Sequence, residues 1–299
     1  MRDHITFLAN VPAETRDALT RRSDAKGLLH AAGHFGLILG LAIWVALGGT
    51  GWPLAIPALG VALAFLFTLQ HECTHQTPFR SVWLNEVLGQ LTGLVLIQPF
   101  HWFRAFHMAH HKFTNDPDND PELADPKPAT PRALVWHLIG FDYWRAKMET
   151  LLRNGFGRLE APYLLARQHA RIQREARLML VIYVALALAA GPLLFWVWLL
   201  PLAFGFPVLR LYLLAEHGLC PPVANMFENS RSTLTNRAVR WLSWNMPYHA
   251  EHHAWPQVPF HALPALHRLT RAHLASKGEG YRAFTRDYVR ATRAQITSR

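Results

Sequence analysis

Long apolar runs alternate with polar stretches that are too long for ordinary turns. Two runs come early, residues 28–48 and 52–70, separated by the short linker GGTGWP. Two more, 177–190 and 193–215, form one continuous apolar tract broken at Gly191-Pro192. A bilayer-crossing helix needs roughly 20 mostly apolar residues, and a Gly-Pro pair marks a turn. The pattern therefore predicts four membrane spans in two helical hairpins. A fifth stretch, 84–100, is shorter and carries Glu86, Gln90 and Gln98. It reads as a helix lying at the interface or buried in protein, not as a span.

The expected class is an all-α integral membrane protein of one domain, with a cytoplasmic helical cap. Its segments are 1–27 (polar N-terminus), 28–70 (first hairpin), 71–176, 177–215 (second hairpin) and 216–299. Composition agrees: 51% of residues are hydrophobic and only 17% charged, low in charge for a soluble domain. Mean hydropathy near neutral, +0.06, leaves room for a sizeable polar part. No apolar core follows the N-terminal charges, so a cleavable signal peptide is not expected.

Charge gives orientation. Lys and Arg number five in 1–27, thirteen in 76–177 and eleven in 217–299, with Arg210 inside the fourth run and none at the hairpin tips. Such an asymmetry places both termini and the central segment in the cytoplasm. The net charge of +10 is then a topology signal. It forms no separate basic domain, which excludes nucleic acid as the expected partner. The Arg- and Ala-rich usage points to a bacterial inner (plasma) membrane.

Histidine is the outlier, with 18 residues. Nine fall in clusters: His71 and His75 in HECTH; His107, His110 and His111 in HMAHH; His217 in AEHG; His249, His252 and His253 in YHAEHH. Spacings of three and four put each cluster on one helical face. HECTH alone fits the zinc-protease pattern H-E-x-x-H, but nine imidazoles exceed one tetrahedral zinc site. They suit two metals, each with four or five nitrogen ligands, and imidazole does not name the metal. With four spans every cluster faces the cytoplasm and can converge. If 84–100 also crossed, HECTH and HMAHH would face opposite compartments. The other histidines read as ordinary surface or core residues, although His30 and His34 share a helical face. A metal transporter or haem protein would need ligands within the spans, whereas these clusters lie at or beyond span ends.

HECTH, HMAHHKFTNDPDNDPE, AEHG and NMPYHAEHHAWPQVPFHALPALH, with the hairpins between them, resemble the membrane fatty acid desaturase and hydroxylase superfamily over about residues 28–270. The third box is similar to that of the acyl-lipid and sphingolipid branch. The resemblance implies a non-haem di-iron centre with all nine boxed histidines as ligands. It also implies dioxygen as co-substrate and oxidation of an unactivated C–H bond of a lipid or acyl chain, by desaturation or by hydroxylation or ketolation. Three residues, not four, separate the histidines of the first box, unlike the stearoyl-CoA type. No HPGG haem signature or iron–sulfur spacing occurs. Electrons are therefore expected from a separate donor of ferredoxin, rubredoxin or cytochrome b5 type.

Ligand histidines commonly donate their second N–H to a carboxylate or carbonyl. Glu72, Glu216 and Glu251 are the expected partners, with Asp116, Asp118 and Asp120 behind them. Asn245 is a candidate for holding a metal-bound water or for making a turn. Aromatics flank the boxes (Phe100, Trp102, Phe103, Phe106, Trp241, Trp244 and Tyr248), as substrate walls or as interface anchors. Positive-inside topology already accounts for Arg104, Lys112, Arg237 and Arg240.

Overall fold

A computed structural model describes residues 3–297. Among the described residues, three helical stretches are long and apolar enough to cross a membrane: Ala13–Ala46, interrupted between Thr20 and Asp24, Trp52–Thr74 and Ala166–His217. Four separate spans were expected. The difference lies in the last stretch, where two helices follow one another across a kink beside Gly191-Pro192. The backbone leaves helical geometry at Ala190 (φ −149°, ψ 27°). The Tyr183 and Trp198 ring centroids are 5.7 Å apart. Fifteen residues of straight helix would hold them about 22 Å apart, so the chain bends sharply between them.

The helix Trp52–Ala64 packs along Leu200–His217 at a contact of two glycines. A Cβ on Gly60 would lie 1.9 Å from the Pro201 carbonyl oxygen, and one on Gly205 1.9 Å from that of Gly60. Only glycine permits this backbone approach. The main core lies here, with Leu59, Leu63, Leu66, Leu202, Phe206 and Leu209 buried.

The helix Val82–Leu96 exposes Val82, Trp83, Val87 and Leu91 and buries Leu84, Gly89, Thr92 and Leu96. Fifteen residues give about 22 Å of helix, short of the roughly 30 Å hydrocarbon core. Its last carbonyls are taken up by side chains of other elements. Tyr183 Oη donates to Leu94 O at 2.7 Å, Trp198 Nε1 to Val95 O at 2.8 Å and Lys147 Nζ to Leu96 O at 3.1 Å. A helix end buried away from water needs such partners. The buried Lys147 (8% exposed) also complements the negative end of the helix dipole. After the αL residue Ile97 (φ 55°), the chain turns into the helix Phe100–Phe113. Glu175 accepts the first two N–H groups of that helix, Phe100 N and His101 N, both at 2.9 Å.

Candidate metal centre

Four elements carry the clustered histidines. HECTH continues the helix of the second apolar run through Thr74, with His75 as its C-cap. HMAHH occupies the last turns of Phe100–Phe113. His217 ends Leu200–His217, and His249, His252 and His253 lie on the short helix His249–Ala254.

Their rings meet in two adjoining groups. His71, His75, His107, His111 and His252 each offer a nitrogen within 4.8 Å of the others, and His110, His217 and His253 do the same. His249 joins the second group, its Nε2 3.0 Å from that of His217. The His111 and His253 rings stack across the boundary, 4.0 Å apart and 3° from parallel.

Hydrogen bonds fix the tautomers of His110, His217 and His253. His110 Nδ1 donates to Asp120 at 2.9 Å, and His217 Nδ1 donates to the Asn229 carbonyl at 3.2 Å. Thr114 Oγ1 gives its own proton to His110 O and so accepts from His253 Nδ1, 3.1 Å away. With each Nδ1 committed as donor, a neutral ring keeps its lone pair on Nε2. Yet the Nε2 atoms of His110 and His217 lie 3.2 Å apart. Two lone pairs cannot bond each other, so the contact requires either a proton on one Nε2 or a cation shared between them. In the first group, both ring nitrogens of His71 and His252 and Nε2 of His111 are buried without a hydrogen-bond partner, as are Nδ1 of His249 and Nε2 of His253 in the second. Buried polar atoms are rarely left so, and these donors fit metal ions.

Electrostatics agree. Burial holds the pKa of His107, His111, His249, His252 and His253 well below the usual histidine value. For His75, burial and then the Arg104 guanidinium lower it to about 3. These rings are neutral, the form that binds metal. For His110 burial also opposes charge, but Glu122 and Asp120 outweigh it and raise the pKa.

The expected carboxylate partners divide. Glu216 Oε1 lies 3.3 Å from His249 Nδ1. Glu72 Oε1 lies 3.6 Å from His252 Nδ1, while its Oε2 accepts from Thr77 Oγ1 and Phe260 N. Glu251 reaches none of the nine. It contacts His267, Ser232 and Thr270, because two residues of helix turn it about 200° away from His249. Of the aspartates, Asp120 serves the centre. Asp116 closes its own turn by accepting from Asp118 N and Asn119 Nδ2, and Asp118 is exposed. Asn245 sits in an αL turn (φ 58°) with its amide on Phe260 O at 3.0 Å, which is the turn role.

Among the flanking aromatics, Phe103 stacks on His107 at 5.5 Å and meets Phe67, whose ring stacks on His71. Trp244 Nε1 donates to His34 Nδ1, leaving His34 Nε2 to donate to Ala62 O. His30 holds Trp241 O at 2.7 Å. His30 and His34 thus fasten the first long helix to the loop before the third box. Arg104 turns inward to Glu86 and Cys73 O, and Arg240 binds Tyr248 Oη. Lys112 and Arg237 are exposed.

Sequence reasoning missed Thr114, Asn229 and Thr77. Thr114 had a local signal, one turn beyond His110. Asn229 had none, since its partner lies in another element.

A family model described as fatty acid desaturase matches residues 50–285. The chain is 35% identical over 115 residues to an sn-1 oleoyl-lipid 12-desaturase of Picosynechococcus sp., covering 35% of this chain and about a third (33%) of that protein. It is 28% identical over 235 residues to a dihydrorhizobitoxine desaturase of Bradyrhizobium elkanii, covering 71% of this chain and 65% of that protein. It is 26% identical over 248 residues to a zeaxanthin 4-ketolase of Chlamydomonas reinhardtii, covering 77% and 48%.

Proposed function

Because the chain belongs to the fatty acid desaturase family, we propose that it is a membrane-bound oxidoreductase that uses dioxygen to desaturate a fatty acyl or lipid chain. The observation that carries this reading is the pair of adjoining histidine groups with unpartnered or facing Nε2 atoms. In it, His71, His75, His107, His111 and His252 hold one iron, and His110, His217, His249 and His253 hold the other. Bound there, the irons supply the reduction of dioxygen that makes cleavage of a strong C–H bond accessible.

The chain's own residues prepare that site. Asp120, the Asn229 carbonyl and Thr114 hold the protons of His110, His217 and His253 on Nδ1. Glu216 and Glu72 set carboxylates beside His249 and His252. Phe67 and Phe103 cover one side of the five-histidine group and exclude water from it. Making one double bond removes two electrons and two protons from the substrate. Dioxygen leaves as two waters only if two more electrons and two protons arrive, so the reading includes a separate carrier of ferredoxin, rubredoxin or cytochrome b5 type.

In the membrane, the reading places spans at 28–48, 52–70, 177–190 and 193–215 as two hairpins of a single domain. Segments 1–27, 71–176 and 216–299 are then cytoplasmic, at a bacterial inner membrane. The bend at Ala190 and the Tyr183–Trp198 contact support the second hairpin. The capped end of Val82–Leu96 supports a helix that enters the membrane level without crossing.

Similarity to the ketolase over 77% of this chain favours one alternative, oxygen insertion into a lipid, carotenoid or small molecule on the same scaffold. A zinc protease is the poorer reading, since it leaves most of the nine histidines without a role. Heterologous expression with lipid and pigment profiling, beside His110→Ala, separates the readings. A new double bond that is lost in the variant is expected. A double bond that persists in His110→Ala would overturn the assigned centre. Hydroxylated or ketolated products alone would replace desaturation with the alternative.

A further inference from the structure

We propose that the exposed face of the C-terminal helix Tyr281–Thr297 is the docking surface for a small acidic electron-transfer protein. The inference rests on the oxidoreductase reading above and names the partner surface of the same centre.

Arg282, Arg286, Arg290 and Arg293 recur at intervals of four, four and three, which places them on one helical face. All four are exposed, Arg286 and Arg290 by 59% and 73%. The only acid on the helix is Asp287, which lies beside Arg286 and Arg290. The face therefore keeps a clear positive excess.

Over residues 281–294 the opposite face is covered by protein. Phe284 and Tyr288, each 4% exposed, pack against Leu134, Leu214 and Ala215. Tyr288 Oη donates to Pro128 O at 2.9 Å. A helix that lies on a bilayer buries its apolar face in lipid. Here that face is already covered by protein, and residues 281–294 expose no large apolar side chain. Charge alone remains to attract a partner.

The helix also touches the metal centre's supports. A Cβ on Gly218, the residue after His217, would lie 2.9 Å from the Phe284 ring. At the helix N-terminus, Tyr281 stacks on Tyr212 with centroids 5.0 Å apart. Tyr212 is one turn before Glu216, whose carboxylate lies 3.3 Å from His249 Nδ1. Protein contacts thus run from the arginine helix to the four-histidine group. A one-electron carrier must visit twice for each double bond. Steering by exposed charge gives fast arrival without tight binding, which suits such a partner.

The test uses the full-length iron-loaded enzyme in nanodiscs, its Arg286→Glu/Arg290→Glu variant, and a plant-type [2Fe–2S] ferredoxin as the probe. The variant should raise KM for reduced ferredoxin about tenfold and flatten its salt dependence. Iron content, and turnover driven by reduced methyl viologen, should not change. Unchanged KM and salt slope would overturn the proposal. So would a variant that loses only its attraction to phosphatidylglycerol vesicles, because the face would then be a lipid contact. If neither electron source yields oxidised lipid, the catalytic reading fails instead. Docking is then decided by ferredoxin binding alone, wild type against variant at low salt. A wild type that binds neither ferredoxin nor cytochrome b5 counts against it.

Discussion

The two histidine groups use the same side chain in different surroundings. The outer ring nitrogens of His110, His217 and His253 bond Asp120, the Asn229 carbonyl and Thr114, while His249 Nδ1 lies 3.3 Å from Glu216 without a hydrogen bond. Around His71, His75, His107, His111 and His252, Glu72 stands off at 3.6 Å, and Arg104 is the charge that bears on His75. One group is backed by carboxylates and oriented hydrogen-bond acceptors, the other by apolar rings, a cation and a single more distant carboxylate. The difference teaches that the four-histidine group is the more firmly oriented and the better compensated for a bound cation. It should hold its metal more tightly.

On the proposed reading, the largest effects come from removing a histidine of the centre. Alanine at His252 or at His217 should abolish product and cut iron from about two to about one or fewer per chain. Metal analysis of purified protein checks this. Full iron content in both variants would end the two-group description. Next, Asp120→Asn should weaken metal retention in the four-histidine group about 10- to 100-fold, read by chelator titration. Glu72→Gln should weaken iron loading and activity by less than tenfold, because Oε1 stands at 3.6 Å and Oε2 is engaged elsewhere. The reverse order of these two would invert the comparison.

Acid acts on the fold that holds both groups. Burial, with Arg171, Arg210 and Lys26 as second causes, lowers the pKa of His101, His137 and His261 to about 4 each. Unfolded, they titrate near 6.5. Between those values the unfolded chain binds more protons, so stability is present above about pH 6.5 and lost as pH falls toward 4. Melting temperature should drop across that window, and metal retention should be compared above it. The smallest effect belongs to Asn245→Gly. Glycine accepts the αL backbone and loses only the bond to Phe260 O, so iron content and product should stay unchanged. A loss of activity with normal iron would restore a water-holding role for Asn245.

Sequence alone was enough for whatever depends on neighbours along the chain. Apolar run length placed the long helices, and Gly191-Pro192 located the bend to within one residue of Ala190. Spacings of three and four named eight of the nine histidines that come together, because helical periodicity is local; His217 stands alone and was marked by its place at a span end. The polar residues in 84–100 set that stretch apart, and it forms a helix, Val82–Leu96, shorter than the spanning candidates. Tertiary structure decided the rest. It divided the nine into five and four, chose Asp120 over Asp116 and Asp118, turned Glu251 toward His267 and supplied the Asn229 carbonyl. It also gave Lys147, Tyr183 and Trp198 to the end of Val82–Leu96. Each of these pairs residues from different elements or across a turn, and a buried proton or carbonyl takes whichever partner packing brings within about 3 Å. No periodicity in the chain encodes that choice.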